Sequence, residues 1–454
     1  LKQQRWLLLD AIFLVLVLAF ITLGTPDVPF HGDESTTIWM SEDYETVILN
    51  GNFEAVAYEP PPRRTTEQHM RMITSNVSKV AIGAAWSGAG MEASDLNEQW
   101  VWGLDMAWNR ANGHMPSERL LEVSRLTSAW MTGLSAVFIF GTTRLIGQQI
   151  FDHALVVRGM AWTATGLYAV QPAVLLNGRR AMFEGGLLLG IVMVTWGVIF
   201  IATSPQNRRW FSYVMLGVVT GLALSTKHSA AFSVTLLYGG LVLLALRHVL
   251  LARQWQKTGV ELARLALATI LALMVFWLMN PHWWGNSPMQ MAEVTVDERQ
   301  KILDEQVALF GGYESSAGRI DGLWTEMFRI EAQYYEADYW GDYPGVQSAM
   351  VDYELSGLAG WEDDGLSFAV RLGSTLLGLG GMAYWLVRGP SGARRVLLVL
   401  LFWFAGILMV TLLTVPLGWQ RYYLPVQPSL ALVMGLGAGT IIHLLSRGWV
   451  ALRD

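Results

Sequence analysis

The sequence predicts an all-α polytopic membrane protein with about ten transmembrane helices and two long extracytoplasmic segments. Three observations carry this reading. Of 454 residues, 53% are hydrophobic and only 15% are charged, whereas an ordinary soluble domain carries about 25% charged residues. The apolar residues gather into runs near the length that spans a hydrocarbon core, about 20 residues. Tryptophan is abundant, with 21 copies, and its apolar ring with a polar N–H suits the membrane interface. The net charge of −6 is mild, so nucleic acid is not an expected partner. With no cysteine in the chain, a disulfide framework, a thiolate metal site and a cysteine nucleophile are all excluded.

The expected spans run, in order, over roughly 6–25, 124–146, 154–176, 182–203, 211–226, 229–246, 264–281, 367–388, 395–416 and 424–445. The first resembles a signal peptide in place, but its apolar run is long for one and no small-x-small site follows. It reads as a retained anchor. Orientation follows from lysine and arginine in the short connections. With the N-terminus inside, the inner segments hold Lys2 and Arg5, Arg158, Arg208 and Arg209, then Arg247, Arg253 and Lys257, then Arg388, Arg394 and Arg395, and finally Arg447 and Arg453. Every inner segment is basic, and an even count returns the C-terminus inside. No fixed-period repeat or two-halves symmetry is visible.

Two long segments then fall outside, about 26–123 and 282–366. The first contains "YEPPPRR", an extended breaker, and "LNEQWVWGLDMAWNRANG", which reads as an amphipathic helix ended by Gly113. The second carries 17 acidic residues against four basic ones between Glu293 and Asp364. Its aromatic content ("EAQYYEADYWGDY") argues against a disordered acidic tail and for a packed, partly helical lid. Within it, "VTVDERQKILDEQVALF" has helical spacing.

Ionisable residues mark every outer helix junction. "HGDE" (His31, Asp33, Glu34) follows the first span, and "NGRRAMFEGG" (Arg179, Arg180, Glu184) separates the third and fourth. "STKHSA" (Lys227, His228), "NPHWWGN" (His282) and "GWQRYYLP" (Arg421, Tyr422, Tyr423) mark the later junctions. Charges near membrane depth default to a functional reading. Acidic Asp33, Glu34 and Glu184 stand beside basic Arg179, Arg180, Lys227 and Arg421. A site that handles an anionic phosphate and a hydroxyl nucleophile needs both kinds. A carboxylate accepts the hydroxyl proton, and cations hold the phosphate as its charge develops. A lipid phosphate with its tail in the bilayer presents its head at this depth. His228 and His282 read as hydrogen-bonding structural residues rather than metal ligands, and three close residues in "HGDE" do not fix a coordination shell. The glycine-rich "GLGGMAYW" and "GLGAGT" lie in spans and read as close helix packing.

On these motifs the chain resembles the GT-C membrane glycosyltransferases, closest to the protein O-mannosyltransferase and aminoarabinose-transferase type (glycosyltransferase family 39). An acidic pair after the first helix matches "HGDE". A Pro-terminated third helix followed by Arg and then Asp or Glu matches "QPAVLLNGRRAMFEGG", with Pro172, Arg180 and Glu184. "GLALSTKHSAAF" and "QRYYLPVQP" match two later motifs. The likeness covers about 1–285, with its long first loop 26–123, and the C-terminal helices of 367–454 as far as 446. The acidic loop 286–366 stands outside it. The resemblance implies transfer of a hexose or pentose from a polyprenyl-phosphate-linked donor to an acceptor hydroxyl on the outer face. Asp33 would be the general base, and Glu34 would orient it or hold the first loop. Arg180, Lys227 and Arg421 would grip the donor phosphate. Glu184 would contact the sugar or anchor the cations, with His228 and Tyr422 as sugar-contacting or supporting residues. No cofactor and no metal is predicted, although metal use varies in the wider superfamily.

The acceptor is left open between protein, glycan and lipid. Membrane lipids are expected partners, and the 286–366 loop is a candidate docking surface for a protein. Rival readings are a catalytically silent scaffold subunit with this fold and, less favoured, a transporter or flippase. Without eukaryotic targeting or retention signals, the expected location is a prokaryotic plasma membrane.

Overall fold

The computed structural model describes residues 2–59, 66–341, 345–362 and 364–451. Most of "YEPPPRR", the end of "EAQYYEADYWGDY" and Arg453 of the orientation argument lie outside them. Among the described residues the fold is helical and holds no strand. Each expected span falls on a helix: α1 (Lys2–Leu23), α6 (Glu118–Ile150), α7 (Ala154–Ala169) continued by α8 (Pro172–Arg179), α9 (Glu184–Thr203), α10 (Trp210–Leu224), α11 (Ala230–Ala252), α12 (Trp255–Met279), α17 (Gly365–Arg388), α18 (Ser391–Thr414) and α19 (Gln427–Ala451). Eight described helices are long and apolar enough to cross a membrane, and α10 is apolar but shorter. The third span breaks after Gln171. Pro172 cannot donate a backbone hydrogen bond, so it restarts the helix as α8.

The long α6 is the centre of the bundle, touching α1, α7, α8, α9, α18 and α19. Around it α10 pairs with α12, α11 with α18, and α17 with α19. The last pair bears out the glycine reading. A Cβ at Gly378 would collide with the Val433 carbonyl, and one at Gly437 with that of Ser374. Only glycine lets these two backbones approach so closely.

Between the spans lie α2 (Gly32–Met40), α3 (Thr66–Ile73), α4 (Val77–Gly88) and α5 (Met106–Ala111) in the first long segment. The second long segment holds α13 (Pro288–Phe310), α14 (Ser316–Phe328), α15 (Asp338–Gly341) and α16 (Val346–Leu355), so the helical lid is present. The expected amphipathic helix ending at Gly113 shrinks to the six residues of α5. Asp105 caps it by accepting from the Trp108 N–H at 2.7 Å, and the Asn109 side chain bonds both backbone groups of Val101. Those side-chain bonds hold the preceding residues in a loop rather than a helix.

Candidate active site

Helix α2 begins with "HGDE" because His31 caps it. The His31 Nδ1 accepts from the Asp33 N–H at 3.1 Å, while the Glu34 carboxylate accepts from the His31 N–H at 3.0 Å. This reciprocal box fixes the start of the helix. It also fixes the imidazole tautomer: Nδ1 is an acceptor, so Nε2 carries the proton and donates to Glu336 at 2.7 Å.

The two acidic residues have different fates. Glu34 is fully buried, and Arg125 donates to both its oxygens at 2.7 and 2.8 Å. The Ala181 N–H adds a bond at 2.9 Å. Burial alone would raise its carboxyl, but Arg125, Arg180 and the Ala181 amide outweigh that and hold it below the usual carboxylate range. With these partners and the His31 N–H in place, Glu34 fastens α2 to α6 and to the turn after α8. The Asp33 side chain is 28% exposed against 0% for Glu34. Asp33 borders an open chamber and receives a hydrogen bond from Arg421 Nη1.

Two cavities meet at three cations. The chamber, of about 140 Å³, is lined by Asp33, Thr36, Thr37, Glu184 and Gln306. The second cavity, of about 300 Å³, is a mainly apolar cleft between α11 and α18 beneath α13, walled by Phe232, Ile407, Val410, Thr411, Val296 and Leu303. Lys227, Arg299, Arg421 and Tyr422 line both. Lys227 donates to Glu184 at the first turn of α9. Burial, with Arg421 nearby, lowers the Lys227 ammonium, and Glu184 offsets only part of that. Tyr422 donates to Gln306 of α13 at 2.8 Å. His228 lies beside Lys227 in the cleft wall. Burial, with Arg299 and Lys79 nearby, pushes it down to about 3, so its ring is neutral.

Arg180 does not reach either cavity. It is buried, donating to the Pro29 carbonyl at 3.3 Å and the Tyr334 carbonyl at 2.7 Å. Its neighbour Arg179 is equally enclosed and donates to the Phe20 and Ile21 carbonyls at the end of α1, to Tyr353 and to Leu358. Where a phosphate-binding role was expected for Arg180, its guanidinium here joins the two long segments.

Sequence reasoning missed two residues of the acidic loop. Arg299 brings a third cation to the junction from α13. Glu336 is buried against His31 and lies 3.1 Å from Arg421 Nε. Burial would raise its carboxyl, but Arg421, His31 and Arg180 hold it far below the usual carboxylate range. The helical spacing of "VTVDERQKILDEQVALF" was the available signal for Arg299, and Glu336 had none.

Residues 97–283 match the family model for "Dolichyl-phosphate-mannose-protein mannosyltransferase". Over that stretch the chain is similar to the protein O-mannosyltransferases. The match covers less than half of the chain, taking in Arg180, Glu184, Lys227 and His228 but neither Asp33 nor Arg421. Among solved structures similar to this chain is the S. cerevisiae protein O-mannosyltransferase Pmt1-Pmt2 complex bound to the sugar donor. It shows 14% identity over 62% of this chain and 33% of that one, with a TM-score of 0.42. The Archaeoglobus fulgidus oligosaccharyltransferase in complex with Zn and sulfate shows 15% identity over 94% and 49%, with a TM-score of 0.47. ArnT from Cupriavidus metallidurans bound to undecaprenyl phosphate shows 14% identity over 95% and 77%, with a TM-score of 0.37. The chain thus spans a third to a half of the first two. No curated protein matches it.

Proposed function

We propose that this protein is a membrane glycosyltransferase that moves a sugar from a polyprenyl-phosphate-linked donor to an acceptor hydroxyl. The observation that carries the reading is the junction. Lys227, Arg299 and Arg421 stand where an apolar cleft opens into a chamber bordered by Asp33. A donor has the same three parts in the same order: an apolar chain, a phosphate and a sugar. The chain lies in the cleft between α11 and α18, the three cations hold the phosphate, and the sugar occupies the chamber.

In the transfer step the acceptor O–H gives its proton to Asp33, and its oxygen forms a bond to the anomeric carbon. The bond from that carbon to the phosphate oxygen breaks, and polyprenyl phosphate leaves with the electron pair. Cations fixed beside the leaving group stabilise that charge as it develops. Phosphate leaves readily, so no general acid is required. Arg421 donates to the Asp33 carboxylate. An arriving phosphate competes for that guanidinium and frees the carboxylate to act as base. Glu336 holds the opposite edge of Arg421, so the cation stays in place during the exchange. Glu184 anchors Lys227, Glu34 holds α2, Arg180 ties the long segments, and Tyr422 and His228 form the walls.

The deciding experiment follows release of free polyprenyl phosphate from a panel of polyprenyl-phosphate sugars, with native membrane extract as the acceptor source. Wild type should release it. Asp33→Asn should fold and lose about 10²–10⁴-fold in rate, the range that a general base contributes. Undiminished release by Asp33→Asn would remove Asp33 from the mechanism. No release by well-folded wild type would favour the scaffold reading.

A further inference from the structure

A second charged cavity lies at the other end of the bundle. Helix α6 carries Arg125 against Glu34 near its start and Arg144 near its end. At about 1.5 Å per residue the two are roughly 28 Å apart, close to the hydrocarbon thickness of about 30 Å. Arg144 meets Asp10, an aspartate in the apolar run of α1 that is only 4% exposed. A charge in such a segment is costly without partners. Asp10 Oδ2 receives Arg144 Nη1 at 3.3 Å and Arg158 Nε at 3.2 Å, and its Oδ1 receives Trp162 Nε1 at 3.1 Å. The Arg144 guanidinium lies 5.7 Å from the Phe140 ring centre, and that of Arg158 lies 5.5 Å from that of Trp6.

One carboxylate between two guanidiniums leaves a net positive charge. Among the described residues neither arginine has a further hydrogen-bond acceptor or carboxylate partner. Both instead line an open cavity of about 330 Å³, together with Gln148, Phe151 and Asp152. Asp152 is exposed and, among the described residues, forms no ion pair with either arginine. The cavity therefore offers two unspent guanidinium edges and one unspent carboxylate at the depth of a headgroup. None of these groups belongs to the proposed transfer site.

We propose that this cavity binds the headgroup of a phospholipid that carries a primary amine. The phosphate sits on Arg144 and Arg158 in charge-assisted hydrogen bonds, and the ammonium donates to Asp152. A lipid held here would brace α1 against α6 and α7 at the end remote from the transfer site. Phosphatidylcholine has no N–H for Asp152, and phosphatidylglycerol has no cation at all.

The test is native mass spectrometry of the full-length protein taken from nanodiscs of phosphatidylethanolamine, phosphatidylglycerol or phosphatidylcholine. Inorganic phosphate is added in a separate arm. Wild type should retain one phosphatidylethanolamine in clear preference to the others. Arg144→Gln, which leaves Arg158 to neutralise Asp10, should lower that retention about tenfold. Asp152→Asn should erase the preference for the amine, and Asp33→Asn, though impaired in transfer, should retain the lipid as wild type does. Equal retention of all three lipids by wild type, or unchanged retention by folded Arg144→Gln, would overturn the proposal. Displacement of the lipid by millimolar inorganic phosphate would also overturn it, in favour of a free-anion site.

Discussion

At the scale of single residues, what separates a site residue from a strut is where its hydrogen bonds end. Lys227 and Arg299 face the cavities, whereas Arg180 spends its guanidinium on the Pro29 and Tyr334 carbonyls. Lys227→Gln and Arg299→Gln should therefore each raise the donor KM about tenfold, the equivalent of about 1.4 kcal/mol per lost contact. Arg180→Gln should instead lower the thermal midpoint and leave the donor KM nearly unchanged, as read by paired kinetics and unfolding. Glu336 acts through Arg421. Glu336→Gln keeps an acceptor for His31 but removes the charge facing Arg421. It should lower kcat/KM about tenfold, with Glu336→Asp restoring part of the loss. Equal damage from both substitutions would reduce Glu336 to packing. The sequence displayed Asp33, Lys227 and Arg421 because each sits at a helix junction, where a charge is conspicuous against apolar flanks. It separated the roles of Asp33 and Glu34 only through the family resemblance, without the contacts behind them. Those depend on Arg125, a residue 91 positions away from Glu34 that gives no local sign of its partner.

At the scale of elements, apolar length made the spans legible, and the break at Pro172 left the third in two parts. Helix α5 was overdrawn because apolar spacing does not reveal that Asp105 and Asn109 turn their side chains onto the backbone. In the proposed reading the donor chain lies in the cleft that α11 and α18 form under α13. Thr411 faces it from α18, while Phe232 and Val296 stand exposed at 42% and 66%, so the cleft has a lipid-accessible rim. A bulkier side chain at Thr411 should fill the cleft and leave the chamber intact. Thr411→Trp should thus raise the KM of long-chain donors several-fold while sparing a donor with a truncated prenyl chain. An equal loss with both donors would place the chain elsewhere.

At the scale of the whole molecule, the acidic segment closes the site by pairing with residues far away in the chain. Gln333 and Gln420 exchange backbone-to-side-chain bonds at 3.3 and 2.7 Å, and Trp361 donates to the Val170 carbonyl at 2.7 Å. Such pairings leave no periodic trace, which is why the sequence yielded a helical lid but not its seating. Glu326 of α14 lies within this seam, accepting from Gln420 at 3.3 Å, and among the described residues it has no cationic partner. Burial pushes its carboxyl up to about 7 from an ordinary 4.5, and Gln420 offsets only part of that. A raised carboxyl binds more protons folded than unfolded between those values, so its contribution to stability falls as pH rises from about 4.5 through 7. The full span is worth on the order of 3 kcal/mol. Glu34, Asp43 and Glu336 are lowered, so their contribution is lost only as pH falls below the ordinary carboxylate range. His228 and His282 are kept neutral by burial and destabilise the fold below about 6.5. Between pH 8 and 6.5, therefore, titration of Glu326 should stabilise the seam; burial also raises Glu42 and Glu362, but those two are common to wild type and variant. Relative to Glu326→Gln, the wild-type thermal midpoint should climb as pH falls through that interval. The variant should be the more stable protein at pH 8. Parallel pH profiles for the two would mean that the Glu326 carboxyl is hydrated and that the seam opens to water.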